Sequence, residues 1–105
     1  MDTEVLTTGQ IVRLLSEKLD GDIVMMTYVQ RSLQRWIQAE IRKGKIRAEP
    51  FPPDGRRHYY RVSVGELQRA LKEVPPSFWC DIWVRCYAKS AGISIRWAKK
   101  RYLES

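Results

Sequence analysis

Apolar positions recur at helical spacing over most of the chain, with one interruption where the period shortens to two. Thr7 and Gln10 form a T-x-x-Q capping box, which predicts a helix start. Ile11, Val12, Leu14, Leu15 and Leu19 follow as a broad apolar stripe. Asp20-Gly21-Asp22 predicts its end, since glycine accepts left-handed backbone angles. Residues 1–6 read as a tail or an edge segment. Residues 23–26 form an apolar run that fits either an extended linker or one turn of helix. A second box, Thr27 and Gln30, predicts a helix over residues 27–43, with Gly44 just past its end. The period then changes. Residues 46–51 and 57–62 read as two short strands joined by the turn Pro52-Pro53-Asp54-Gly55. In the second strand, alternation puts His58, Tyr60 and Val62 on one side and Arg57, Tyr59 and Arg61 on the other. Pro50, Pro52 and Pro53 prevent the sheet from extending. Helical spacing returns with a box at Ser63 and Glu66, followed by Leu67, Ala70, Leu71 and Val74, and stops at Pro75-Pro76. Ser77 is placed to cap a helix with Trp79, Ile82, Trp83, Cys86 and Tyr87 on its apolar side, ended by Gly92. Ser94 caps a last helix. The pattern predicts a mainly α fold with a small β-hairpin.

The helix over residues 27–43 has two unlike faces. At about 100° per residue, Val29, Leu33, Trp36, Ile37 and Ile41 share one side, and Trp36 is assigned to the core. Tyr28, Arg31, Arg35, Gln38 and Arg42 share the other, without an acid among them. Glu40 falls towards the apolar side. An ordinary solvated face pairs Glu with Lys four residues on, whereas Arg31 and Arg35 are like charges at that spacing and cost a few tenths of a kcal/mol, roughly. A face arranged against its own helix stability is better read as a binding face.

Charge strengthens that reading. The 105 residues carry a formal net charge of +7. Residues 27–62 hold nine Lys and Arg against three acids, a net of +6. Concentrated positive charge of this kind points to a phosphate polymer. The length suits one small domain, expected over residues 1–76, with residues 77–105 as a helical extension that packs on it or mediates self-association. Cys80 and Cys86 lie on different helix faces and are expected to be reduced, buried thiols. With His58 the sole histidine, no metal set, catalytic histidine or cofactor is expected, nor a nucleophile–base pair, so the chain does not read as an enzyme. No leader is evident, and no apolar run has the length to span a bilayer. The expected location is cytoplasmic and nucleoid-associated, with no membrane partner.

A helix fits the major groove of duplex DNA, where arginine pairs with guanine and glutamine with adenine through two parallel hydrogen bonds. Arg31, Arg35 and Gln38 are therefore expected to contact bases, with Gln34 on their flank. Tyr28 and Arg42 stand at the ends of the face, and Lys43, Lys45 and Arg47 surround the helix end, where phosphate contact supplies affinity without sequence information. Arg56, Arg57 and Arg61 load the hairpin, and arginine at a hairpin tip suits a narrow minor groove. An RNA-binding protein that stacks bases on Tyr59 and Tyr60 is a second reading. A DNA-packaging or other oligomeric adaptor is a third.

LTTGQIVRLL, then VQRSLQRWIQ, then K-G-K-I, then DGRRHYYRVSVGEL together resemble the MerR-like winged helix-turn-helix domains of phage excisionases. The resemblance runs from Leu6 to Leu71. It implies a winged helix-turn-helix that binds double-stranded DNA, either an architectural recombination directionality factor that steers a site-specific recombinase or a transcription regulator. By motif, Arg31, Arg35 and Gln38 would enter the major groove and Arg56 and Arg57 the minor groove. The chain departs from the pattern in a recognition helix about one turn longer and in a longer linker before it. The family leaves residues after Pro76 unexplained. There YAKSAGISIRWA loosely resembles a second helix-turn-helix; its plainer reading is a helical hairpin packing Trp79, Trp83 and Trp97 on the first domain. The cations Arg96, Lys99, Lys100 and Arg101 lie on its last helix.

Overall fold

The computed structural model describes residues 4–19, 21–51 and 59–104. Those residues form β1 (Val5–Thr7), α1 (Thr8–Ser16), α2 (Ile23–Arg42), β2 (Glu49–Phe51), β3 (Tyr59–Ser63), α3 (Val64–Glu73), α4 (Ser77–Ala91) and α5 (Ile95–Glu104). The fold is mainly helical, with one small three-stranded antiparallel sheet in the order β1-β3-β2.

Both arms of the first capping box are made: Thr7 Oγ1 accepts the Gln10 N–H at 3.2 Å, and Gln10 Oε1 accepts the Thr7 N–H at 2.9 Å. The helix this opens stops at Ser16, earlier than the apolar stripe suggests. Leu19 is still buried, because two turn hydrogen bonds, Lys18 N–H to Leu15 O and Leu19 N–H to Ser16 O, fold it back under α1. Leu14, expected in the stripe, is 48% exposed.

α2 begins four residues before the expected Thr27. Asp22 is its N-cap, with Oδ1 accepting the Met25 N–H at 2.8 Å. Thr27 lies inside the helix and donates its hydroxyl back to Ile23 O at 3.0 Å. Aspartate and threonine cap equally plausibly, and a mid-helix threonine satisfies itself by such back-bonding, so the T-x-x-Q pattern at Thr27 is not a start. The apolar run 23–26 is therefore helix. Of the Asp20-Gly21-Asp22 stop, Asp20 lies outside the described residues.

The other end of α2 matches expectation. Gly44 adopts φ +75°, its N–H reaches Ile41 O, and the Lys45 N–H reaches Glu40 O. This pair of bonds is a Schellman close. Ile46 follows, 2% exposed, as the apolar residue that anchors the turn in the core. It belongs to this turn and not to a strand, so β2 is shorter than residues 46–51. A Cβ on Gly44 would meet nothing within 4 Å. Gly44→Ala is thus expected to cost about 1–2 kcal/mol through backbone strain alone. Urea unfolding checks it, and a loss of several kcal/mol would imply packing that the open space denies.

β3 is the central strand, pairing Leu6 with Val62 on one side and Pro50 with Tyr60 on the other. Of the segment read as a tail or an edge, Val5 and Leu6 thus lie in an edge strand, and residues 1–3 lie outside the described residues. Proline is tolerated in β2 because that strand is also an edge. Val62 is fully buried and Arg61 exposed, as alternation requires. The turn 52–55 and His58 lie outside the described residues.

The core gathers Ile11 and Leu15 of α1, Met25, Val29, Leu33 and Ile37 of α2, Val62 of β3, Leu67 and Ala70 of α3, and Ile82 and Cys86 of α4. Trp36, assigned to the core, is half-buried at its edge, with its ring 5.0 Å from that of Phe78. Ser77 does not cap α4; Pro76 holds the N-cap position, and no side chain bonds the first turn. Gly92 ends α4 at φ +68°, and Ser94 Oγ accepts the Trp97 N–H at 3.3 Å to open α5. α4 is buried on two sides. Ile82 and Cys86 face α2, while Val84 and Ala88 meet Ala98 of α5. Only the first side was legible as an apolar stripe; the second is built of small residues. Trp97, expected to pack inward, is 61% exposed. Cys80 and Cys86 are unpaired and lie in different clusters; Cys86 is buried as expected, whereas Cys80 is only half-buried, at the margin of the α4–α5 cluster. Burial pushes the Cys86 thiol up, against a weak contact with Ser32 Oγ at 3.6 Å.

Candidate nucleic-acid interface

Packing around α2 leaves one strip of it open. α1 and α4 are its main helical neighbours. The α1 side is marked by Gln30 and Gln34, which share a hollow with Thr7, Thr8, Gly9, Val12 and Arg13. The α4 side is marked by Trp36 against Phe78, Ser32 against Cys86 and Tyr28 under Lys89. Between these seams lie Arg31, Arg35 and Arg42, all exposed, and Gln38, half-buried. None of the ion pairs among the described residues involves the three arginines. The acid of α2, Glu40, is half-buried and turned towards α3, in a groove it shares with Trp36, Lys45 and Arg69. Among the described residues, the open strip of α2 therefore carries three exposed arginines, while the acid of the helix, Glu40, lies on another side.

The remaining expected residues fall around this strip. Gln34 is exposed at the α1 seam. Tyr28 is half-buried, and the Lys89 ammonium stands 4.9 Å from its ring centre, so it belongs to the α4 seam and not to a free end of the face. Lys43 and Lys45 are exposed just past the helix. Arg61 is exposed on β3, opposite Glu49 of β2 and Thr7 of β1. Arg56 and Arg57, the expected tip of the hairpin, lie outside the described residues. The Tyr59 side chain is likewise outside them, and Tyr60 is half-buried, which gives base stacking no open tyrosine platform among the described residues. Two cations were missed in the sequence. Arg13 borders the Gln34 hollow and Lys89 covers Tyr28. No local motif could have found them, because both reach the strip through tertiary packing.

The end of α2 is tied to the hairpin by a polar clasp. Arg69 of α3 donates to Lys45 O at 2.5 Å and to Glu73 at 2.9 Å, and grips Glu66 through Nε and Nη2. Glu66 Oε1 also accepts the Arg47 N–H at 3.0 Å. Ser63 Oγ caps α3 by accepting the Glu66 N–H, but the carboxylate does not return the bond, so only half of that expected box forms. The hydrogen bond from Arg69 and then that from Arg47 hold the Glu66 carboxyl down to about 2 from its ordinary 4.5. A depressed carboxyl stabilises the fold above its unfolded value and loses that contribution as pH falls through its folded value. The melting-temperature difference between wild type and Glu66→Gln is therefore expected to be largest above about pH 5. It should shrink towards zero near pH 2. A difference that stays constant across that range would show that the clasp does not depend on the carboxylate.

No family model, curated protein or solved structure matches the chain. Among the described residues, no helix is long and apolar enough to cross a membrane.

Proposed function

We propose that the chain is a sequence-specific duplex-DNA-binding protein of winged helix-turn-helix type. α2 is its recognition helix and the β2–β3 hairpin its wing. The observation that supports this most is the open strip of α2. It presents Arg31, Arg35, Gln38 and Arg42 between the α1 and α4 seams, with the Glu40 carboxylate turned away. A helix fits a major groove, and the donor types of this face suit guanine and adenine edges. Lys43, Lys45 and Lys89 would hold phosphates at its margins. The wing arginines, Arg56, Arg57 and Arg61, would lie along the neighbouring minor groove. Taken with the resemblance to excisionase domains, the role is an excisionase-like architectural factor or a transcription regulator, acting at the nucleoid with a recombinase or with RNA synthesis.

Selection of bound duplexes from a random pool tests the reading. The expected result is one enriched site, read with guanine and adenine opposite the α2 face. Retention of RNA or single strands in preference to duplex, at stated salt, would overturn it. A packaging adaptor would in addition be a stable oligomer, and light scattering separates that case.

A further inference from the structure

Positive charge is not confined to residues 27–62. α5 alone carries Arg96, Lys99, Lys100 and Arg101 against Glu104, and residues 77–104 as a whole have a net of +4. The balance is made up by the first 26 residues, whose acids outnumber their cations by three. Helix geometry sorts the α5 side chains. Ala98, fully buried, and half-buried Tyr102 face α4, where the Tyr102 ring lies 5.2 Å from that of Trp83. Arg96, Lys99 and Lys100 are exposed on the outer surface, with Lys100 stacked 5.0 Å above the ring of exposed Trp97. Arg101 and Glu104 border a hollow with Trp83 and Tyr87, and exposed Glu104 also follows Lys100 by one turn, at the edge of the same outer surface. On α4, Arg85 and Lys89 are exposed on the flank that meets Tyr28, on the other side of the helix from Trp83 and Tyr87. One acid, Asp81, shares that flank, and its carbonyl accepts the Arg85 Nε–H. Cations therefore continue from the α2 strip across α4 to α5.

We infer that α5 is a second duplex-DNA contact, a phosphate-binding arm made by Arg96, Lys99 and Lys100. This rests on the proposal that α2 binds duplex DNA. Charge complementarity selects the occupant: three cations on one outer surface, with Glu104 the one acid of α5 at its C-terminal edge, leave a net positive face that matches a phosphate backbone. Packed helices stand about 8–10 Å apart, so two successive packings put the α5 axis roughly 16–20 Å from that of α2. At about 3.4 Å per step that is on the order of five base pairs beyond the site α2 reads.

The test compares wild type with the full-length variant R96E/K99E/K100E, and with R96Q/K99Q/K100Q as a milder change, on the selected duplex. All three side chains are exposed, and circular dichroism with thermal melting checks that both variants fold. Affinity is measured against salt, and protection by hydroxyl-radical cleavage. The expected result has four parts. The preferred sequence is unchanged. The slope of log affinity against log salt is shallower by about two to three for the glutamine variant. Affinity at about 0.15 M salt falls at least tenfold, more for the glutamate variant. Protection shortens by roughly five base pairs on one side. Unchanged slope and protection would overturn the arm while leaving α2 binding intact. The same holds if the variants change only from dimer to monomer by light scattering, since the surface would then belong to a second copy. Failure of wild type to bind any duplex would overturn both proposals.

Discussion

Replacing Arg35 with alanine is expected to weaken binding to the preferred duplex by about 1–3 kcal/mol and to relax the preference at one base pair. Arg35 is exposed at the middle of the α2 strip and makes no ion pair among the described residues, so removing it leaves no buried group unsatisfied. Its neighbour Arg31 lies one turn away, and relief of their repulsion should hold or slightly raise the melting temperature. The signature is thus a large binding defect with no loss of stability. Parallel binding curves on matched and single-substitution duplexes, with a thermal melt of each protein, read it directly. Specific binding that survives loss of Arg31, Arg35 and Gln38 together would place the reading surface elsewhere.

The opposite side of the same helix predicts the opposite signature. Leu33 is fully buried among side chains of the common core. Leu33→Ala is expected to cost about 2–5 kcal/mol, the transfer of the lost methylenes plus the cavity left behind. In a domain whose total stability is on the order of 5–15 kcal/mol, that is a large share. Denaturant unfolding should show the midpoint falling while the sequence preference of the folded fraction stays the same. A variant that kept its stability but changed its preferred duplex would mean that the buried and reading faces of α2 had been exchanged.

The two faces of α2 were legible because they need only a period and a register. Val29, Leu33 and Ile37 are buried and Arg31 and Arg35 exposed as the wheel requires. The beginning of that helix was not legible. Asp22 and Thr27 offer competing caps, and burial of Met25 on the core side decides between them only after folding. Leu14 and Leu19 make the same point at α1. A turn folds Leu19 inward, while Leu14 falls on a face left about half open among the described residues. The second buried side of α4 was missed because Val84 and Ala88 are too small to stand out beside tryptophans. Glu66 looked like half of a local box, yet its carboxylate is taken by Arg69 and Arg47. Residues close in sequence closed α2 at Gly44 and opened α1 at Thr7, but competing caps and partners from other elements decided the rest.

That clasp has a consequence for the DNA. Lys45 O and the Arg47 N–H are both held by α3, so the exit from α2 and the approach to β2 share one mount. In the proposed complex, a duplex bound by both α2 and the hairpin would meet two probes whose spacing this mount helps to set. Any mismatch with the natural separation of its grooves would then be taken up by the duplex. Sequences that bend readily would bind best even at steps no side chain touches. Loosening the mount, far from any base, is expected to reduce DNA bending before it reduces affinity.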